Sequence, residues 1–281
     1  MLAPNQKGPL AMVAASICWS LGGLLIRFIP ESWGALSIIG LRAFLAAIVF
    51  IIWRRSAKIE LTQGNILAAL CLTATTTLFV FANLLTTAAA AIMLQFTAPV
   101  FIILIHLVFY RKKPKTSEII AATITICGML LFFADHLEIG GTLGNVLAII
   151  SGLTFAGVFV CNKRPDTKPE QSLLLGFYIS SLIGLPFAFF RVTPDFVGWA
   201  SVIVLGVIQV GLAYVFFTIG IKKTTALLAC LITAMEPVLN PLWVALVTGE
   251  IPGLFTILGG AIIILTIVIY NIWLEKKAPR S

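Results

Sequence analysis

The sequence predicts an all-α polytopic membrane protein: ten transmembrane helices forming an inverted 5+5 repeat. Composition, run length and the placement of positive charge lead there. Hydrophobic residues make up 60% of the 281 residues and charged residues 11%, against about 45–50% and about 25% in soluble domains. Mean hydropathy is +1.08. This excludes a soluble enzyme, a disordered chain and a nucleic-acid-binding domain. The apolar runs approach the roughly 20 residues that a helical span needs. They are continuous, not alternating, which excludes a β-barrel.

The first run, 9–29, is too long for the core of a signal peptide, and the segment before it is too short for a cleavable leader, so a retained helix is expected. Polar or Pro/Gly breaks then bound spans at 34–53, 65–86, 88–110 and 117–134. The second set lies at 143–161, 172–190, 197–219, 225–248 and 253–274. Lys7 precedes the first span. Arg54, Arg55 and Lys58 follow the second, and Arg111, Lys112, Lys113 and Lys115 the fourth. Lys163, Arg164 and Lys168 follow the sixth, Lys222 and Lys223 the eighth, and Lys276, Lys277 and Arg280 the tenth. These segments hold 16 of the 19 Lys and Arg residues. The alternate loops hold Arg191 and the acidic Glu31, Asp135, Glu138, Asp195 and Glu250, while Arg27 and Arg42 lie inside helices. The positive-inside rule then places both termini in the cytoplasm, and the expected location is a cytoplasmic (inner) membrane.

Cys18, Cys71, Cys127 and Cys230 fall inside apolar runs and Cys161 at the end of one, with no CxxC, so all five are expected as small apolar fillers. Asp135, His136 and Glu138 share one loop and are expected to be solvated, with no metal bound. Trp53, Trp199 and Trp273 near span ends suit the membrane interface.

The two halves match at an offset of 136 to 138 residues. Ala98-Pro99-Val100 falls on Glu236-Pro237-Val238, Ala90-Ala91 on Leu228-Ala229, Trp19 on Phe155 and Gly8 on Gly144. The expected repeats are 1–136 and 137–281. Each holds five spans. An odd repeat in tandem enters the membrane the other way up, which gives a pseudo-two-fold axis in the membrane plane.

The run 214–226 (YVFFTIGIKKTTA), followed by Met235-Glu236-Pro237-Val238 and Gly249-Glu250, resembles the second EamA domain of the drug/metabolite transporter superfamily. Cys18-Trp19-Ser20, Leu41-Arg42-Ala43-Phe44 and Ala98-Pro99-Val100 are similar to the same domain in the first half. After the fourth span the chain has Arg111-Lys112-Lys113-Pro114 where the family often shows Gly-Glu. The resemblance implies a transporter of amino acids, nucleobases, drugs or other small metabolites.

Substrate sites in inverted-repeat transporters lie near the midplane, where an ionisable residue needs a partner or a water-filled cavity. Arg42 and Glu236 lie at that depth. Thr233, Glu236 and Asn240 share one helical face at i, i+3 and i+7, and Pro237 and Pro241 each free a backbone carbonyl one turn earlier. Glu236 fits a cation ligand or a proton-coupling carboxylate. Arg42 fits a partner for a carboxylate. The two either neutralise each other or hold a zwitterion between them. Ser16, Ser20, Gly23 and Arg27 follow one face of the first span beside Trp19. Further candidates are Thr76, Asn83 and Thr87 in the third span and its turn, Gln95 in the fourth, Gln209, Tyr214 and Thr218 in the eighth, and Trp243 in the ninth.

The expected activity is secondary transport of a small metabolite, an amino acid or related amine, by alternating access. Export of cationic drugs or other metabolites is the alternative. No Walker A motif is present, so ATP hydrolysis in this chain is not supported. Two His residues and no Asp inside a span leave an intramembrane enzyme without its catalytic groups. A channel would favour open polar rings over a repeat with one buried carboxylate. No cofactor and no nucleic acid are called for. The expected partners are the bilayer and the small-molecule substrate, with the chain a monomer or homodimer.

Overall fold

The computed structural model describes residues 6–134, 141–248 and 253–277. Among them the chain is helical, with no strand. Nine helices are long and apolar enough to cross a membrane, and a tenth, shorter apolar helix completes the set. Asp135, His136, Glu138, Gly249, Glu250 and Arg280 lie outside the described residues.

Span one is α1 (Lys7–Ser20) and α2 (Gly22–Ile26), followed by a 3₁₀ turn at Glu31–Trp33. Spans two and three are α3 (Ala35–Arg54) and α4 (Gln63–Leu85). Span four is broken into α5 (Ala88–Gln95) and α6 (Ala98–Val108), and α7 (Thr116–Phe132) is span five. Spans six and seven are α8 (Thr142–Cys161) and α9 (Pro169–Arg191). Span eight is α10 (Phe196–Val204), a π-helical segment (Leu205–Leu212) and α11 (Ala213–Lys223). Span nine is broken into α12 (Ala226–Thr233) and α13 (Met235–Thr248), and α14 (Leu254–Lys277) is span ten.

The breaks in spans four and nine have one cause. Pro99 and Pro237 have no N–H for the carbonyls of Gln95 and Thr233, so the helical ladder is interrupted there. Both spans also start alike: the Thr87 hydroxyl accepts from the Ala90 N–H and the Thr225 hydroxyl from the Leu228 N–H, 138 residues apart. Each bond satisfies one orphan donor of the first turn.

The packing follows the repeat. Span two packs on span seven and span five on span ten, each with its own repeat mate. Span three packs on six as eight packs on one, and three on seven as eight on two. Gly8, at the start of span one, lies so close to the Lys223 carbonyl at the end of span eight that a Cβ would stand 2.7 Å from it. Gly144, its repeat mate, meets Leu85 at the end of span three in the same way, at 2.6 Å. The contacts map onto themselves when each span is exchanged for its mate, as a two-fold axis requires. The outward faces carry exposed large apolar side chains such as Leu182, Phe189, Phe190, Leu246 and Ile269, an arrangement suited to lipid. Trp53 and Trp199 are partly exposed near span ends, and Trp273 lies under the Lys277 ammonium at 4.2 Å.

At the basic end, two loops of opposite repeats are tied together. Lys168 Nζ meets Glu60 Oε1 at 2.6 Å, the Gly64 N–H donates to Asp166 Oδ2 and the Lys168 N–H to Asn65 Oδ1. The five cysteines are free. Cys230 is buried, whereas Cys127 is exposed on an outward face.

Candidate functional site

A cavity of about 140 Å³ lies between the repeats. Spans two, three, seven and eight supply most of its wall, with Trp19, Gln95, Phe155 and Glu236 from the remaining ones. The lining is largely made of repeat mates. Trp19 and Phe155 both line it, as do Ile39 and Phe177, Arg42 and Ser180, Leu72 and Val210, and Thr76 and Tyr214. The last four pairs all lie at an offset of 138. The cavity therefore sits on the two-fold axis, and its chemistry comes from the places where mates differ: Arg42 against Ser180, Glu236 against Ala98, and Gln209 against Cys71.

Arg42 and Glu236 both face this space. Neither appears in an ion pair or side-chain hydrogen bond among the described residues, so they do not neutralise each other by contact. Of the two arrangements open to the sequence, the direct pair is absent from this structure. Five aromatic rings wall the same space, those of Trp19, Phe79, Phe155, Phe177 and Tyr214. Trp19 and Tyr214 meet edge-on at 5.0 Å, and Phe177 and Tyr214 at 5.5 Å. Gln95 is held in place by donating through Nε2 to Ser151 Oγ at 2.8 Å.

Of the candidate residues, Arg42, Glu236, Trp19, Gln95, Tyr214, Thr76 and Gln209 line the cavity. Thr233, Asn240, Ser20, Asn83 and Trp243 do not. The break at Ala234 interrupts the helix between Thr233 and Glu236, so the i, i+3, i+7 face is not continuous. Thr233 turns its buried hydroxyl to the Cys230 carbonyl at 2.6 Å. Asn240 packs against Gly23, where a Cβ would collide with its side chain. Trp243 donates to Ser20 Oγ, and Asn83 donates to the Phe79 carbonyl at 2.8 Å. Ser16 joins spans one and nine by donating to the Ile232 carbonyl, and Thr218 bonds the Tyr214 carbonyl. Arg27 is exposed beyond α2. Thr75, Phe79, Phe177 and Ser180 line the cavity without having been singled out from the sequence. For Phe177 and Ser180 the usable signal was the 138-residue offset from Ile39 and Arg42. Among the described residues, no cluster of three metal-ligating side chains occurs.

A sequence profile of the EamA-like transporter family matches residues 6–134 and again 142–272. The pseudopaline exporter CntI of Pseudomonas aeruginosa is 20% identical over 94% of this chain and 95% of its own length. The biotin transporter of Escherichia coli is 23% identical over 85% of this chain and 84% of its own length. A solved crystal structure superposes with a TM-score of 0.81 at 17% identity, covering 97% of this chain and 99% of that one, a likeness of fold.

Proposed function

Because the chain belongs to the EamA-like transporter family, we propose that it is a secondary transporter whose cargo, a small zwitterion such as an amino acid or a related amine, binds in the cavity on the repeat axis. Its relatives carry names for two different cargoes, pseudopaline and biotin, so membership gives a transporter and not an enzyme, and leaves the cargo to the cavity. The reading rests on one observation: an arginine and a glutamate line the same small space and, among the described residues, form no ion pair with each other. A carboxylate beside Arg42 and an ammonium beside Glu236 satisfy both. Charges left at that depth without a ligand would be costly, so the site favours occupancy by a molecule of both signs.

The export of cationic drugs finds some support in the aromatic wall, since rings attract cations. Size argues against it. Drug-sized ligands occupy pockets of about 300–1,000 Å³, and this cavity holds about 140 Å³. In this reading both termini and the basic loops face the cytoplasm, and the repeats rock about the fixed site. The test is counterflow of radiolabelled amino acids in proteoliposomes. Saturable, stereoselective exchange is the expected result. A protein that exchanges no amino acid but is stabilised by organic cations would replace this reading with the drug one.

A further inference from the structure

We propose that Gln209 sets the substrate class of this cavity by accepting a hydrogen bond from a substrate N–H, so that the transporter takes amines bearing N–H and rejects their quaternary analogues. This rests on the reading of the cavity as the transport site and goes further, to the kind of amine.

Gln209 is only 7% exposed. Its Nε2 donates to the Trp19 carbonyl at 3.3 Å. A carbonyl only accepts, so the amide must present its NH₂ end to Trp19, and the orientation of the group is fixed by chemistry. That leaves Oε1 on the other side, buried and without a partner among the described residues, in a side chain that lines the cavity. Buried acceptors are rarely left unpaired, and each exception calls for an explanation. A substrate donor supplies one.

The backbone is built to hold this side chain there. Gln209 lies in the π-helical segment Leu205–Leu212, an uncommon local winding that recurs at functional sites. Gly206 in the same segment packs on span two, where a Cβ would stand 3.1 Å from the Arg42 carbonyl. Gly22 leaves room on the opposite side, where a Cβ would stand 3.0 Å from Gln209 Nε2. The repeat mate of Gln209 is Cys71, which does not line the cavity. Symmetry therefore does not demand an amide here.

Glu236 in the same cavity selects a cationic donor over a hydroxyl. An ammonium with N–H satisfies Glu236 by charge and Gln209 by hydrogen bond. A trimethylammonium keeps the charge and still meets the aromatic wall of Trp19 and Tyr214, but has no proton to give, so Oε1 stays stranded. Sites built to hydrogen-bond a substrate reject the analogue that lacks the donor for this reason.

The test uses the purified full chain in detergent. The twenty standard amino acids are screened by thermal shift. The strongest binder is then compared with its N-methyl and N,N,N-trimethyl derivatives, in the wild type and in Gln209→Leu. We expect the wild type to bind the trimethyl compound about tenfold to a hundredfold more weakly than the parent, and the variant to lose most of that difference. Steric exclusion alone would persist in the variant, so a ratio unchanged by Gln209→Leu overturns the assignment and leaves the transport site standing. A wild type that binds the trimethyl compound as well as the parent overturns it even if Gln209→Leu and the more conservative Gln209→Met both fail to fold. A wild type that responds to none of the twenty overturns the amino-acid reading and this inference together.

Discussion

Trp243 donates its indole N–H to Ser20 Oγ across 2.7 Å and so joins span nine to span one. The two spans both start at the basic end and pack on each other. Ser20 also donates to the Ile17 carbonyl at 2.7 Å, so its hydroxyl both gives and receives. Trp243→Phe keeps a ring but removes the donor, and Ser20→Ala removes the acceptor. Each is expected to cost about 1 kcal/mol, and the double variant less than the sum, as for groups that share one bond. A double-mutant cycle of thermal unfolding in detergent measures the coupling. Strictly additive losses would mean that the bond contributes nothing.

Arg42 and Glu236 face one cavity without an ion pair, and this changes what their removal should do. Breaking a buried contact pair strands the remaining charge and costs about 3–5 kcal/mol. Here Arg42→Met and Glu236→Gln are each expected to leave the unliganded protein close to wild-type stability and to abolish the amino-acid thermal shift. If transport is coupled to protons, Glu236→Gln also loses the dependence on a pH gradient, because an amide cannot carry the proton. A large loss of unliganded stability in either variant, recovered in the double variant, would restore the direct pair.

The loop charge bias predicts which end faces the cytoplasm. In a cysteine-free background, Ser32→Cys, in the exposed turn after span one, is expected to react with a membrane-impermeant maleimide on intact cells. Lys113→Cys is expected to react only after permeabilisation. The opposite labelling pattern would invert the topology.

The tie between loops at the basic end should weaken in acid. The hydrogen bond from Lys168 holds the Glu60 carboxyl below its ordinary value of 4.5, and the bond from Arg164 does the same for Asp166, from 3.8. A carboxyl whose folded value is depressed contributes stability above its unfolded value and loses it as pH falls through the folded one. Thermal stability is therefore expected to decline as pH drops below about 4.5, and Glu60→Gln with Asp166→Asn should flatten that decline. These groups are exposed, so the effect at neutral pH is small. An acid profile identical in the double variant would remove both from the account.

The sequence alone determined the features that depend on local composition. Apolar run length specified the helical spans, because backbone polar groups in a bilayer must be satisfied within the span. The alternation of Lys and Arg with acidic loops marked the loops themselves. The 138-residue match between Ala98-Pro99-Val100 and Glu236-Pro237-Val238 revealed the repeat. Arg42 and Glu236 stood out because a charge inside an apolar run is rare. Which polar groups reach the cavity was decided by the tertiary structure. The break at Ala234 ends the face that joined Thr233 to Glu236, and Asn240, on the same helix as Glu236, packs against Gly23 and does not line the cavity. The π-helical segment rotates Gln209 into the wall and Gly22 gives it room, and neither shows in hydropathy. That Arg42 and Glu236 line one cavity without forming an ion pair was likewise decided by the packing of spans far apart in the chain, which no local pattern records.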